Sequence, residues 1–256
     1  EYSKDSGTTW KVVSHPVSIS TSLSISNLEG GTTYSFRVSA VNSVGNGDVS
    51  STALAETLNM VTTAPTSLVS GSVTSSSLLL QWKAPNNSTG QAITDYRVEY
   101  SADNGSTWVD VSHPASNSLS MTVNGLSKGK TYKFRVSAIN GAGVSPASNV
   151  VIVTTQTTVA SAPSGLKLTT GSLTTTTMKF YWNAPADNGG TAITDYQIEY
   201  SKDNGKTWIV AKHAISTLPN ASITGLKSKT SYLVRVKAKN ANGLSATSIS
   251  LAFTTL

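Results

Sequence analysis

The chain has 256 residues and a formal net charge of +6, yet only 12% of its residues are charged and none is cysteine. A typical soluble domain is about 25% charged, so hydroxyl and amide side chains must cover most of this surface. No stretch is long and apolar enough to span a membrane, and the lack of cysteine excludes disulfides, thiol nucleophiles and thiolate metal sites. The abundance of Ser, Thr, Asn and Gly disfavours a helical bundle.

An internal repeat of about 100 residues organises the chain. The segment EYSKDSGTTW at the start returns as EYSADNGSTW and EYSKDNGKTW, and residues 63–100 match residues 161–200. A period of this length indicates one domain per repeat rather than one turn of a solenoid. We therefore predict the second half of a domain at 1–57, followed by two complete domains at 58–155 and 156–256.

Each repeat is predicted to consist of short strands between turn signals. Along the strand that ends at Trp82, Leu78, Leu80 and Trp82 face one way while Leu79 and Gln81 face the other. One dry and one wet face indicate antiparallel sheets packed as a sandwich, and seven strands per repeat fit the immunoglobulin-like class. In the middle repeat the predicted strands are 66–73, 76–83, 93–101, 107–112, 119–123, 130–140 and 147–155.

Two longer strands of the middle repeat alternate in the same way. The third is predicted to face Arg97 and Glu99 outward, between the inward residues Tyr96, Val98 and Tyr100. In the sixth strand, alternate side chains are predicted to point inward and outward. The inward ones are Tyr132, Phe134, Val136 and Ala138, and the outward ones are Lys133, Arg135 and Ser137.

Several anchors recur in order and in register. Trp82 and Trp182 lie on the second strand, Pro85 and Pro185 follow three residues later, and a Leu-x5-Tyr pattern leads into the sixth strand. These features resemble fibronectin type III domains. The resemblance implies an all-β chain of tandem seven-stranded antiparallel sandwiches, arranged end to end and used outside the cell or on its surface. It also implies that a tyrosine corner forms in each repeat, with the hydroxyl bonded to backbone a few residues upstream, at Tyr34, Tyr132 and Tyr232.

Residues 1–57 supply only the last strands of such a sandwich. A sheet with one bare face cannot bury its apolar side, so Trp10, Phe36, Val38 and Ala40 would contact water. We expect either that the natural chain continues before Glu1 or that another chain supplies the strands, as in strand complementation between filament subunits.

The pattern Ser-x-Asp-x-Gly-x-Thr-Trp occurs three times, beginning at Ser3, Ser101 and Ser201. It is similar to the Asp-box hairpin of sialidase propeller blades. Asn-Gly between strands favours a turn with both residues at positive φ, and Asp can accept backbone N–H groups there. A sialidase would need several blades and an arginine cluster, so we interpret the segment as a structural hairpin whose Trp covers the stem.

Two other sets of residues repeat with the domain. His15, His113 and His213 each follow the hairpin Trp by five residues, without the additional ligands of a metal site or triad, and are interpreted as strand-end packing residues. Three Glu–Arg pairs are predicted to face outward on adjacent strands as surface ion pairs; they are Glu1–Arg37, Glu99–Arg135 and Glu199–Arg235. We predict no catalytic residue, metal site or cofactor.

The positive charge concentrates in the third repeat, where Arg235, Lys237 and Lys239 alternate along one strand. This strand is a candidate patch for an acidic polysaccharide or an anionic cell surface, with a solvated face as the alternative. Nucleic acid is disfavoured because no aromatic platform interleaves with the basic residues. Four Asn residues lie in glycosylation sequons that matter only in a glycosylating host: Asn86, Asn87, Asn104 and Asn220.

The absence of nucleotide-binding, hydrolase and metalloprotease motifs disfavours an enzyme. The sequence predicts a non-enzymatic extracellular segment with a structural or adhesive role, a rod of repeats in a larger surface, filament or secreted protein. Its partners would be neighbouring repeats or subunits of the same protein. The alternative is an accessory spacer or binding module of a polysaccharide-degrading enzyme.

Overall fold

The structure is a computed structural model that describes residues 1–86 and 91–256. Every element in these ranges is a β-strand or a turn, and none is a helix. The all-β prediction is therefore confirmed. The sequon residue Asn87 lies outside the described ranges.

The first repeat contains five short strands in two small sheets. One sheet has the order β1-β2-β5 and the other pairs β3 with β4, all antiparallel. The strands are β1 (Tyr2–Ser3), β2 (Thr33–Phe36), β3 (Ser39–Val41), β4 (Asn46–Val49) and β5 (Ala53–Glu56).

The middle repeat has two sheets, as expected for a sandwich. The strands are β6 (Thr66–Val73), β7 (Ser77–Lys83), β8 (Ile93–Ser101), β9 (Val109–Asp110), β10 (Ser120–Asn124), β11 (Thr131–Asn140), β12 (Gly143–Val144) and β13 (Val151–Thr154). One sheet has the order β10-β7-β6; the other has the order β12-β11-β8-β9, with β13 also paired to β11. The strands predicted at 66–73 and 93–101 have the predicted bounds, whereas the fourth is only two residues long.

The third repeat follows the same plan. Its strands are β14 (Ser164–Leu168), β15 (Met178–Asn183), β16 (Asp195–Ser201), β17 (Ile209–Val210), β18 (Asn220–Ile223), β19 (Ser231–Asn240), β20 (Gly243–Leu244) and β21 (Leu251–Thr254). The sheets are β14-β15-β18 and β17-β16-β19-β20, with β21 on β19. Their inner faces enclose one apolar core in which Met178, Phe180 and Val236 are fully buried.

The contacts between residues divide the chain into two compact units. The first is Glu1–Gly71 with Leu79–Thr122 and Tyr132–Val153, and the second is Ser72–Leu78 with Val123–Thr131 and Thr154–Leu256.

The tyrosine corner is present in the first and third repeats. The N–H of Glu29 donates to the Tyr34 hydroxyl at 2.9 Å, and the N–H of Lys227 donates to the Tyr232 hydroxyl at 3.0 Å. In both, the tyrosine oxygen reaches back five residues and satisfies a backbone donor in the turn before its strand. The corner therefore fixes the turn against the strand that follows it.

The inner face of the first repeat is open at the positions that the other repeats bury. Val38 is 70% exposed, whereas its equivalents Val136 and Val236 are both 0% exposed. Ala40 is also exposed, but Phe36 and Trp10 are partly buried. The expectation that these side chains contact water is thus confirmed at Val38 and Ala40, and only partly at Phe36 and Trp10.

Candidate functional site

The most strongly repeated polar constellation is the Asp hairpin, which we define as residues 3–10, 101–108 and 201–208. In the second copy the Ser101 hydroxyl donates to Asp103 Oδ1 at 2.7 Å and accepts the Gly105 N–H at 2.7 Å. The Thr107 N–H and hydroxyl donate to the two oxygens of Asp103, at 2.9 and 2.6 Å. The same four bonds recur in the other copies.

The turn of each hairpin has the predicted backbone form. Asn104 and Gly105 have φ of 65° and 97°, and Asn204 and Gly205 have φ of 55° and 84°. Both residues of such a turn need positive φ, which Asn and Gly adopt at low cost. The first copy places Ser6 at φ 56°, so the fold tolerates a less suitable residue there.

Hydrogen bonding strongly favours the ionised form of the hairpin aspartates. The Thr207 hydroxyl and N–H, followed by the Ser201 hydroxyl, lower the pKa of Asp203 to about 2. In the first copy, bonds from Ser3 and Thr9 lower the pKa of Asp5 to about 2. The pKa of Asp103 is also depressed, first by the Thr107 hydroxyl. Both oxygens of each carboxylate thus accept hydrogen bonds from residues of the same hairpin.

A Trp–Arg–Glu stack, formed by one residue of each type, lies beside each hairpin. The guanidinium carbon of Arg135 is 4.1 Å from the ring centroid of Trp108, and Arg135 donates from Nε and Nη2 to the two oxygens of Glu99 at 2.8 and 3.1 Å. The corresponding cation–π distances are 4.0 Å for Arg37 on Trp10 and 3.8 Å for Arg235 on Trp208. A planar guanidinium can bind a carboxylate edge-on and an indole face-on at the same time.

The three predicted Glu–Arg pairs all form, but the prediction of a surface pair is wrong for two of them. The side chains of Glu99 and Glu199 are only 6% and 8% exposed. The arginine lies over the carboxylate, and the hairpin brings the indole over the arginine, so the outer sheet face is covered locally. Ser137, also predicted to face solvent, is buried.

In the third repeat the buried carboxylate has further donors. Glu199 Oε1 accepts Lys237 Nζ at 2.9 Å and Gln197 Nε2 at 2.7 Å, while Oε2 accepts Arg235 Nε at 2.6 Å. Burial opposes ionisation of Glu199, but the bonds from Lys237, Arg235 and Gln197 outweigh it and lower its pKa. Two of the three residues in the candidate anionic-ligand patch therefore hold an internal carboxylate.

The third member of that patch, Lys239, is exposed and pairs in register with Asp195 across β19 and β16. The structure thus places Arg235, Lys237 and Lys239 on the same face of β19, as predicted from their spacing. Within this face, Glu199 offsets one of the three positive charges.

The histidines occupy equivalent local positions. Nδ1 lies 2.8 Å from the carbonyl oxygen of the next residue in His15, His113 and His213. In the two complete repeats it is also 3.9 Å from Asp95 or Asp195. Among the described residues, no three His, Cys, Asp or Glu side chains come together as a metal-binding group.

A cleft of about 260 Å³ in the third repeat was not anticipated from the sequence. Its lining includes Trp182, Tyr196, His213, Leu218 and Asn220. The sequence placed Trp182 on the second strand, but the opening depends on the path of residues 211–219, which carry no strand pattern. Sequence periodicity has no signal for such a gap at the edge of a sandwich.

Among the residues that the structure describes, none belongs to a helix long and apolar enough to cross a membrane.

Comparison with known proteins gives a consistent family assignment. The profile of the fibronectin type III domain matches residues 1–56, 63–154 and 161–254. Residues matched in this way make up most of the chain.

Similar proteins come from very different sources. Myomesin-2 of Homo sapiens is 26% identical over 86% of this chain, and receptor-type tyrosine-protein phosphatase F of Bos taurus is 30% identical over 91%. Exoglucanase B of Cellulomonas fimi is 32% identical over 92% of this chain. The matched regions make up 15%, 12% and 21% of those proteins, so the chain spans a small part of the length of each.

Proposed function

The chain belongs to the fibronectin type III family, and from this premise we propose that it is a non-enzymatic extracellular segment with a structural or adhesive role. It would act as a spacer of repeats within a larger surface, filament or secreted protein. Its main partners would be neighbouring repeats or subunits of that protein.

The observation that carries this proposal is the internal use of the repeated polar residues. In each repeat the hairpin Asp binds its own turn, and the Arg of the Trp–Arg–Glu stack binds its own Glu. Residues that recur for catalysis or ligand binding usually leave donors or acceptors facing a cleft. Here the recurrence maintains the fold, as expected for a module selected for stability and spacing.

An accessory role in a polysaccharide-degrading enzyme is the second candidate. It is favoured by the similarity to an exoglucanase, of which this chain matches 21%. The anionic-ligand patch of Arg235, Lys237 and Lys239 would be the corresponding binding surface for an acidic polysaccharide, with Lys239 the most available of the three.

Retention of the 256-residue chain on insoluble cellulose and on immobilised alginate tests both proposals. The spacer role predicts weak retention on both polymers and no release of sugar from either. Retention on alginate that falls with salt and is lost in Lys239→Ala, but not in the matched exposed variant Lys83→Ala, would contradict a pure spacer and support the patch. Retention on cellulose that is insensitive to salt would support the accessory role.

A further inference from the structure

One turn differs between the repeats at a position where the backbone is unusual. We call residues 127–130 of the middle repeat, and their equivalents, the junction turn. Its third residue is Gly31, Gly129 or Lys229, and φ at these residues is 59°, 61° and 48°. All three are in the left-handed region, which favours glycine and is costly for lysine.

Within the second compact unit, the junction turn of the middle repeat meets the loop 187–190. A Cβ atom on Gly129 would lie 2.5 Å from the carbonyl oxygen of Gly190 and 2.8 Å from Cγ2 of Thr157. A Cβ on Gly190 would lie 2.7 Å from the carbonyl carbon and oxygen of Lys128. Since both obstacles include backbone, neither glycine can be replaced without displacing the loop or the turn.

An ion pair also joins the junction turn to the loop 187–190. Lys128 Nζ donates to Asp187 Oδ2 at 2.5 Å, and the Gly189 N–H donates to Oδ1 of the same carboxylate at 2.8 Å. The Ser161 N–H also donates to the Asp187 carbonyl oxygen at 2.8 Å. The bonds from Lys128 and Gly189 lower the pKa of Asp187 and so favour its ionised form.

The first compact unit shows the same crowding around the first junction turn. A Cβ on Gly31 would lie 2.0 Å from Oδ1 of Asn59 and 2.4 Å from Nε2 of Gln91. Gln91 occupies the position equivalent to Thr191, next to Gly190. These obstacles are the ends of flexible side chains, so at Gly31 the left-handed φ favours glycine, whereas at Gly129 the crowding from backbone excludes a side chain as well.

We propose that the junction turn is a docking surface for the glycine-containing loop of a following repeat of this type, and that Lys229 closes this surface in the third repeat. There the lysine carries the Cβ that Gly129 lacks, and Ser228 replaces the ion-pairing Lys128. A repeat placed after the third one would therefore join it without the close contact. The proposal deepens the spacer function, on which its biological meaning rests, by stating which repeats can be joined closely.

The test replaces Gly129 with the lysine that the third repeat itself accepts. Because the chain has no cysteine, Ala115→Cys and Thr217→Cys provide two unique spin-label sites in the middle and third repeats of the full chain. Pulsed electron spin resonance then measures the distribution of distances between them. The matched control is Gly125→Lys, because Gly125 also has positive φ (77°) but a Cβ there would meet no atom within 4 Å.

The proposal predicts that Gly129→Lys broadens the distance distribution at least twofold, while Gly125→Lys leaves its width unchanged. Near-ultraviolet circular dichroism of both variants verifies that the repeats remain folded. Superimposable distributions for the two variants would overturn the proposal. So would an equally broad distribution in the unmodified chain, a result that would leave the spacer function standing.

A chain extended after Leu256 by a copy of residues 157–256 tests the second half of the proposal. With one label in the third repeat and one in the added copy, the distribution should be broad. The double substitution Ser228→Lys and Lys229→Gly should narrow it to the width seen between the middle and third repeats. An extended chain that is already narrow with Lys229 in place would refute the closing role of this residue.

Discussion

Equivalent valines in the three repeats provide an internal measure of what the second sheet contributes. Val136 lies on β11 at 0% exposure, whereas Val38 occupies the same position of the first repeat at 70% exposure. Truncation to alanine removes the same two methyl groups from both sites. Only the burial of the side chain differs.

The burial of Val136 determines how much free energy of unfolding the Val136→Ala substitution removes. Each lost methyl group forfeits about 0.8 kcal/mol of transfer free energy, and incomplete collapse of the cavity adds about 1 kcal/mol, for a total of about 2.5 kcal/mol. For a domain of about 100 residues this lowers Tm by about 10–15 °C. At Val38 the side chain is mostly solvated, so the change should stay within about 0.5 kcal/mol.

Differential scanning calorimetry of Val38→Ala, Val136→Ala and Val236→Ala measures these effects in the full chain. Val136→Ala and Val236→Ala should each shift the transition of one repeat, and Val38→Ala should leave the profile unchanged. A loss at Val38 as large as that at Val136 would show that the first face is covered in solution, and would refute the reasoning.

Three further outcomes follow from the hairpin, the stack and the junction turn. Arg135→Ala should destabilise the middle repeat by about 1–2 kcal/mol in urea unfolding, because it leaves the buried Glu99 with Arg97, 3.4 Å away, as a weaker partner. A change below about 0.3 kcal/mol would contradict a structural role for the stack. The hairpin stabilisation from Asp203 is present above the unfolded pKa of about 4 and is lost as pH falls through about 2, so Tm should drop over that window and drop less in Asp203→Asn; equal acid sensitivity of both proteins would contradict the hydrogen-bond assignment. Lys229→Gly should raise the stability of the third repeat by about 0.5–1 kcal/mol, since relief of left-handed strain exceeds the added flexibility of the unfolded chain; a loss of stability in calorimetry would show that the lysine side chain makes a needed contact.

Sequence reasoning succeeded where local pattern determines structure. Alternation along β7 predicted that Leu78, Leu80 and Trp82 face inward, and all three are at most 5% exposed. The Asn-Gly signals predicted the turns at 104–105 and 204–205, because Asn and Gly adopt the positive φ of such turns at low cost. Both features depend on residues adjacent in sequence.

The sequence was less informative where distant segments meet. Glu99 is charged and lies at an outward position of the alternating strand pattern, so the sequence predicts that it faces solvent. The hairpin, however, places Trp108 over Arg135, and together these two side chains bury Glu99. The left-handed φ of Lys229 could not be predicted from the sequence for the same reason. It is set by the tyrosine corner and by Thr255, whose hydroxyl bonds the backbone on both sides of the turn. The bounds predicted for the three domains stay predictions.

The central claim is that the complete repeats are self-sufficient sandwiches serving as a spacer, and stretching single molecules by atomic force microscopy tests it most directly. The claim predicts two separate unfolding events per molecule. Each should release roughly 30 nm of chain, as expected for about 90 residues at about 3.5 Å per residue. A single event, or extension without any force peak, would show that the repeats do not resist force independently and would contradict the spacer role.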